Sequence, residues 1–235
     1  MYCCLSDGSG GERVSRLDST ARLLRDAGAT RTAIFGRFTD RELYRLLLDR
    51  RIDVFAALRD ELAMILIDAN VASVAGDAME GFNPGHDVCR ALIDGAVAVV
   101  RERTGRELEN LQFAVDPDGP SEDEAVRVTL DEAALDRKLH AALGYPEMRD
   151  EVEKAIASSS QAAFATEVLH RGNARAAMEH FERVAPRYEI YGANRVKEGR
   201  YGEVIRYREH VLPVLEALTE SARDFLSTPS IARRA

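Results

Sequence analysis

Cysteine is scarce in this 235-residue chain: Cys3, Cys4 and Cys89 are all there are. An odd count with two adjacent residues is no disulfide framework, and without a C-x-x-C pair there is no structural zinc site of the cysteine type. A reducing cytoplasm is the expected setting. No apolar run approaches the roughly 18 residues of a membrane-spanning helix. The opening Met-Tyr-Cys-Cys-Leu-Ser-Asp-Gly-Ser-Gly-Gly is too short for a secretory leader and lacks its basic flank. Positive charge is in deficit: 32 Lys and Arg against 40 Asp and Glu leave a net charge of −8. That balance argues against a general nucleic-acid or anionic-membrane binder. Internal repeats and low-complexity tracts are lacking too.

What is there is ordinary globular composition, 46% hydrophobic and 31% charged, in a chain long enough to bury a real core without metal or disulfide. Met1–Leu5 reads as a buried strand, followed by a glycine-rich turn over Ser6–Gly11. Val14, Leu17, Ala21 and Leu24 share one face of a helix over Val14–Ala27, with Gly28 as its C-cap. Thr32–Phe35 reads as a short strand ended by Gly36. Strand, helix and strand in this order are the unit of a parallel sheet. Helices are expected over Thr39–Leu48, Arg51–Leu62 and Asp87–Glu102. The apolar runs Ala63–Ile67 and Val71–Ala75 include at least one buried strand. Gly76–Gly85 reads as an irregular loop.

Further on, Leu111–Val115 and Ala125–Leu130 read as strands that can pair as a hairpin across the turn Asp116–Ser121. Helices are expected over Asp131–Leu143, Pro146–Ile156, Ala174–Val184 and Glu198–Phe225, the last kinked or split at Pro213. The tail Ser227–Ala235 reads as frayed. The expected fold is α/β, a Rossmann-like mostly parallel sheet flanked by helices over residues 1–103. A hairpin and a helical region follow over 104–235, packed on the same domain.

The densest polar cluster is Asp77-Ala-Met-Glu80-Gly-Phe-Asn83-Pro-Gly-His86-Asp87, between a predicted strand and a predicted helix. Ligands of open α/β sheets bind at the carboxyl ends of strands. Imidazole and carboxylate oxygen together suit zinc or a similar divalent ion. The same residues also suit a plain structural role, since Asp and Asn before a helix serve as caps.

Three passages carry a resemblance. Cys4-Leu-Ser-Asp-Gly8, with Arg16-Leu-Asp18, Ala21 and Leu24 to Gly28 after it, is the first. Phe38-Thr-Asp40-Arg-Glu-Leu43 is the second, and the Asp77–Asp87 cluster is the third and most specific. Together they resemble the PIG-L family of zinc-dependent N-acetyl amino-sugar deacetylases, whose own motif reads H-A-Y-E-G-G-H-P-D-H-D. Pro84 and His86 are in register with it. The resemblance implies that His86 is a zinc (Zn²⁺) ligand. Asn83 stands where the family has a second histidine that assists the chemistry. Asparagine can donate a hydrogen bond to an oxyanion but cannot shuttle a proton. Asp77 replaces the early histidine and Gly85 the middle aspartate.

The family's first strand ends in H-P-D-D-E, the source of two zinc ligands and the general-base aspartate. No such motif occurs in this sequence, which starts at what looks like the family's second strand. The alternatives are a chain that starts late and a member that has lost the motif. If the set is completed locally, Asp77 and Glu80 add oxygen ligands, and Glu80, Asp7 or Asp87 takes the proton of the attacking water.

Arg16, Tyr191 and Arg195 are candidate substrate contacts. Arg16 equally suits a solvated or salt-bridged side chain, and the Tyr/Arg alternation over 187–208 equally suits amphipathic cover of a core edge or subunit contact. His140, His170, His180 and His210 read as surface or core-rim residues, and Cys89 as a buried structural thiol. The expected activity is removal of an N-acyl group from an amino sugar or its conjugate by zinc-activated water. The alternative is an inactive relative that binds a sugar-like ligand or a partner protein. No nucleic acid or membrane is involved in either reading, and a homo-oligomer is left open.

Overall fold

The computed structural model describes residues 1–10, 14–113, 124–159, 161–172 and 174–220. In chain order its main elements are β1 (Tyr2–Ser6), α1 (Leu17–Asp26), β2 (Arg31–Phe38), α2 (Asp40–Leu48), α3 (Ile52–Asp68), β3 (Ser73–Asp77) and α4 (Pro84–Thr104). Then come β4 (Glu109–Phe113), β5 (Glu124–Thr129), α5 (Glu132–Leu143), α6 (Arg149–Ser158), β6 (Thr166–Arg171), α7 (Ala174–Phe181), α8 (Arg187–Lys197) and α9 (Leu212–Glu220). The chain is mixed α/β and mostly helical. It divides into two compact units, Met1–Leu43 with Ser121–His170, and Tyr44–Pro120 with Arg171–Ala235.

In the first unit β1 and β2 pair in parallel, Tyr2 with Arg31, Cys4 with Phe35 and Ser6 with Phe38, and the register shifts between these pairs. Gly36 sits inside β2 at φ +64°, where a Cβ would lie 2.3 Å from Leu17 Cδ1 of α1. The strand therefore runs through Gly36 rather than ending there. β1 is less buried than its composition suggests: only Leu5 is fully covered, and Cys3 faces out. Val14 lies outside α1 and is exposed, so that helix begins at Leu17. Thr39 and Glu42 form a reciprocal cap at the start of α2. Thr39 Oγ1 accepts from the Glu42 N–H, and Glu42 Oε2 accepts from the Thr39 N–H. Two orphan donors of the first turn are thereby satisfied.

β5 pairs antiparallel with β6, with Val128 opposite Glu167 and Thr129 opposite Thr166. The expected hairpin gives way to this pairing, whose second strand lies between the expected helices Pro146–Ile156 and Ala174–Val184, where no element was expected. Tyr145 and Glu147 hold the start of α6 to α1. The hydroxyls of Tyr145 and Thr20 are 2.8 Å apart, and Ser19 donates to Glu147 at 2.9 Å.

The second unit is built on α3, α4 and α9, which pack on one another. Phe55, Leu58, Leu62, Ala63 and Leu66 of α3 are buried, as are Val88, Ala91, Leu92, Ala96, Val99 and Val100 of α4 and Val214, Leu215 and Leu218 of α9. Burying each large aliphatic side chain contributes about 1.5–3 kcal/mol over leaving it in water. Gly95 permits the close crossing, because a Cβ there would lie 2.6 Å from the Leu218 carbonyl oxygen. The Ala63–Ile67 run belongs to α3; of the two apolar runs, the second supplies the strand β3. β3 pairs in parallel with β4, Ala75 opposite Leu111 and Asp77 opposite Phe113.

The long helix expected over Glu198–Phe225 is not continuous. Residues 198–206 are non-helical, Tyr207–Val211 forms a π-helical turn, and α9 follows with Pro213 in its first turn. The π-turn runs directly into α9, the Leu212 N–H donating to the Tyr207 carbonyl, so the widened turn falls just before Pro213, whose missing N–H interrupts the helical ladder. The turn Asp116–Ser121, the ends of the Leu111–Val115 strand and of the last helix, and the Ser227–Ala235 tail lie outside the described residues. Among the described residues, no helix is long and apolar enough to cross a membrane.

Candidate functional site

The Asp77–Asp87 cluster lies wholly in the second unit, on the connection from β3 to α4. β3 runs one residue pair further than expected and delivers Asp77 at its last position, across from Phe113. The next N–H, from Ala78, donates to the Phe113 carbonyl at 3.0 Å. Asn83 then begins α4. Its backbone is extended (φ −136°, ψ 121°), and its Oδ1 accepts from the Gly85 N–H at 2.8 Å. Pro84 follows in the first turn, where its missing N–H has no cost. The cap reading of Asn83 is thus realised. The same oxygen also accepts from the Tyr44 hydroxyl at 3.4 Å. With Oδ1 spent twice, the Asn83 NH₂ is the end left to donate.

This geometry brings Asp77 and His86 together. Asp77 Oδ2 lies 3.8 Å from His86 Nδ1, and both side chains are partly open to solvent, 27% and 45% exposed. Burial raises the Asp77 carboxyl above its usual range. His86 and Arg90 pull it down, and Glu80 pushes it up.

Asp87 is the structural anchor of the loop. Its residue exposure is 0%, and Oδ1 accepts from the N–H groups of Glu80 and Gly81, each at 3.1 Å. Its Oδ2 is buried with no hydrogen-bond partner. Burial pushes this carboxyl up to about 7, against the pull of the two N–H donors. Asp87 therefore holds the loop closed, while Glu80, like Asp77, is only partly buried.

Gly81 joins the loop to α8. It sits at φ +69°, its carbonyl accepts from the Tyr188 N–H at 3.0 Å, and a Cβ would lie 2.6 Å from Phe181 Cζ and 2.8 Å from Pro186 Cβ. Beside it, the Arg187 guanidinium lies 4.5 Å over the Phe82 ring. Burial also raises the Tyr188 phenol, whose oxygen is buried without a hydrogen-bond partner.

Sequence reasoning missed the layer under His86. Arg90, one helical turn on, is fully buried. It donates from Nη1 to the Leu111 carbonyl at 2.9 Å and from Nη2 to Asn110 Oδ1 at 2.5 Å, and it pairs with Asp94 Oδ1 at 2.7 Å. Asn110 donates to the same Asp94 oxygen, and Asp94 Oδ2 accepts from the Ala174 N–H. The available signal was an arginine inside the apolar face of α4 with an aspartate four residues later.

The candidate substrate contacts fall elsewhere. Tyr191 and Arg195 lie on α8 and engage each other: Arg195 Nε and Nη2 donate to the Tyr191 hydroxyl, and Nη1 donates to Glu198. Arg16 belongs to the first unit. Its N–H donates to the Asp7 carbonyl at 2.8 Å, its Nη1 contacts Met148 Sδ at 3.1 Å, and its side-chain carbons cover Gly8. Asp7, the other carboxylate considered, is nearly buried and accepts from the N–H groups of Ser9 and Asp40. Cys89 is partly buried.

As a metal centre, the loop supplies the right donor chemistry but a short count. His86 and Asp77 are an imidazole and a carboxylate facing each other. Among the described residues, no group of three or more His, Cys, Asp and Glu side chains is gathered as a metal would need. A catalytic zinc takes three protein ligands. Comparison of the chain with protein-family models, with curated proteins and with solved structures finds no match.

Proposed function

We propose that the Asp77–Asp87 loop is the working site of a PIG-L-like hydrolase that removes an N-acyl group from an amino sugar or its conjugate. The observation that supports this most is the meeting of His86 and Asp77 at 3.8 Å, half-open to solvent at the end of β3. In this reading His86 and Asp77 would hold zinc, which would supply polarisation of the acyl carbonyl and a more acidic water. The chain's own residues do the rest. The Asn83 NH₂, oriented by the two bonds to Oδ1, donates to the oxygen that gains charge. Glu80 takes the proton of the attacking water. Of the expected sugar contacts, Tyr191 and Arg195 lie in the same unit as the loop and belong to this proposal, while Arg16 lies in the first unit and is left out of it. A cytoplasmic setting, a small-molecule amino-sugar partner and a Rossmann-like parallel sheet belong to the same reading.

The test is the zinc content of the purified chain beside a His86→Ala control, followed by release of acetate from N-acetylglucosamine conjugates. About one zinc per chain, absent from the control, is the expected result. A folded chain that takes up no zinc when it is supplied overturns the hydrolase reading.

Asn83, which caps α4 and cannot shuttle a proton, favours one second reading, a relative that binds a sugar-like ligand without hydrolysing it. Calorimetric binding of N-acetylglucosamine in the presence of a chelator, with no acetate released, distinguishes it.

A further inference from the structure

We infer that Arg90 is the positioning residue of the site: its buried guanidinium clamps the helix that carries His86 to the strand pair that carries Asp77. The inference rests on the functional reading of the Asp77–Asp87 loop and names what holds that loop's two halves in register.

The geometry runs through β4. The Ala78 N–H, directly after Asp77, bonds to the Phe113 carbonyl, and Asp77 itself is paired with Phe113. Two residues back on the same strand, the Leu111 carbonyl accepts from Arg90 Nη1. β4 is therefore a common rail, gripped by β3 at Phe113 and by α4 at Leu111. His86, Arg90 and Asp94 recur every four residues and so lie along one side of α4. Fixing Arg90 fixes the height and rotation of His86 one turn above it.

The clamp is tied at both Nη atoms of Arg90, its buried Nε having no hydrogen-bond partner. Arg90 and the Asn110 side chain both converge on Asp94 Oδ1, and Asp94 Oδ2 takes the first N–H of α7. A Cβ at Gly172 would lie 2.9 Å from the Asn110 side chain, which is thus walled in as well. The planar guanidinium reaches a backbone carbonyl, an amide and a carboxylate at once, and a lysine ammonium cannot reproduce that fork. A buried arginine used only for stability needs its carboxylate. The added bond to Leu111 ties it to the strand that sets Asp77.

The test compares native chain, Arg90→Lys and Arg90→Met by amide hydrogen exchange and by the NMR resonances of the His86 ring, all without metal. In Arg90→Lys the charge opposite Asp94 survives, so the fold is retained. Protection of the Glu80 and Gly81 amides should fall about ten-fold, with the Ala63 and Leu66 amides of α3 unchanged. The His86 ring resonances should move. Arg90→Met should show the same local loss, larger. Unchanged loop protection and unmoved ring resonances in both variants overturn the clamp. So does a loss of protection spread evenly over α3, α4 and the loop, which is the mark of a merely structural residue. Zinc uptake by the native chain with an unmoved loop in the variants overturns the clamp and leaves the proposed site standing. A moved loop in a chain that takes up no zinc upholds the clamp and overturns the hydrolase reading.

Discussion

The Tyr44 hydroxyl donates to Asn83 Oδ1 at 3.4 Å, on the same oxygen that caps α4 through the Gly85 N–H at 2.8 Å. The cap and the proposed oxyanion donor are thus two ends of one amide, and Tyr44 helps to decide which end points where. Asn83→Ala should cost about 1 kcal/mol, the ordinary loss of a side-chain cap. Tyr44→Phe should cost about 0.5–1.5 kcal/mol, one hydroxyl bond. Because the two share an acceptor, the double variant should lose less than the sum of the singles. Urea unfolding of all four proteins measures this, and strict additivity contradicts a shared oxygen.

Gly81→Ala should be among the most damaging single-methyl additions in the second unit. It forces a side chain onto φ +69° and drives a methyl to 2.6 Å from the Phe181 ring. Backbone strain and overpacking together should lower stability by about 2–4 kcal/mol. Adding Phe181→Leu should relieve only the clash with that ring, leaving the contact with Pro186 and the backbone strain, so the rescue is incomplete. Thermal or urea midpoints of the three variants report it.

Asp87 should make the metal-free protein less stable as pH rises from acid toward neutral. Its carboxyl is raised from an ordinary 3.8 to about 7 by burial. Below both values, folded and unfolded chains carry the proton alike, and the contribution is fully present. Between them the unfolded chain has released a proton that the folded chain keeps, so stability falls until about pH 7 and is then level. The range spans about three pH units, or about 4 kcal/mol in all. Asp87→Asn keeps an oxygen for the Glu80 and Gly81 N–H groups and cannot ionise. Its urea midpoint, measured in chelator, should lack this part of the slope and exceed the native value near neutral pH.

Asp94→Ala should be costlier than Asp94→Asn. The alanine leaves the buried Arg90 guanidinium without its carboxylate and the Ala174 N–H without its acceptor. Stranding a buried charge costs about 3–5 kcal/mol. The asparagine keeps one oxygen and should lose less. Equal destabilisation of the two, read from urea midpoints, contradicts a hydrogen-bonding role for the retained oxygen and leaves the lost charge as the whole cost.

How much of this was legible in the sequence varies with the residues. α4 is legible over Asp87–Glu102 from its apolar face, and the structure starts it three residues earlier, with Asn83 as N-cap and Pro84 in its first turn, and ends it at Thr104 with Gly105 as C-cap. The Ala63–Ile67 run is ambiguous by nature. A helix buried on most sides and a buried strand both show unbroken apolar residues, and only the length of α3 separates them. β6 was hidden because Thr166-Glu-Val-Leu-His-Arg171 lacks alternation, most of its residues being half-covered. The false long helix arose by carrying the period of Val204 and Ile205 across Gly199 and Gly202. The chain leaves helical geometry there, and Gly199 takes φ +70°. Within the site, the closeness of Asp77 and His86 was readable from their placement at a strand end and a helix start. The burial of Asp87 was not, because nothing local distinguishes a carboxylate that bonds backward to Glu80 and Gly81 from one that faces water. Arg90 escaped notice because its partners Asn110 and Leu111 lie some twenty residues away.

The two compact units are interleaved along the chain, which passes between them within α2, near residue 120 and near residue 170. During synthesis, neither unit can close when its first segment emerges. The first must wait for β5, α5 and β6, and the second for α7 through α9 to complete the packing of α3 and α4. Both therefore rest on contacts distant in sequence, the kind that slows folding and leaves apolar faces uncovered on the way. A fragment stopped at residue 103, where composition alone suggests a boundary, would carry an unfinished piece of each unit and should aggregate rather than fold.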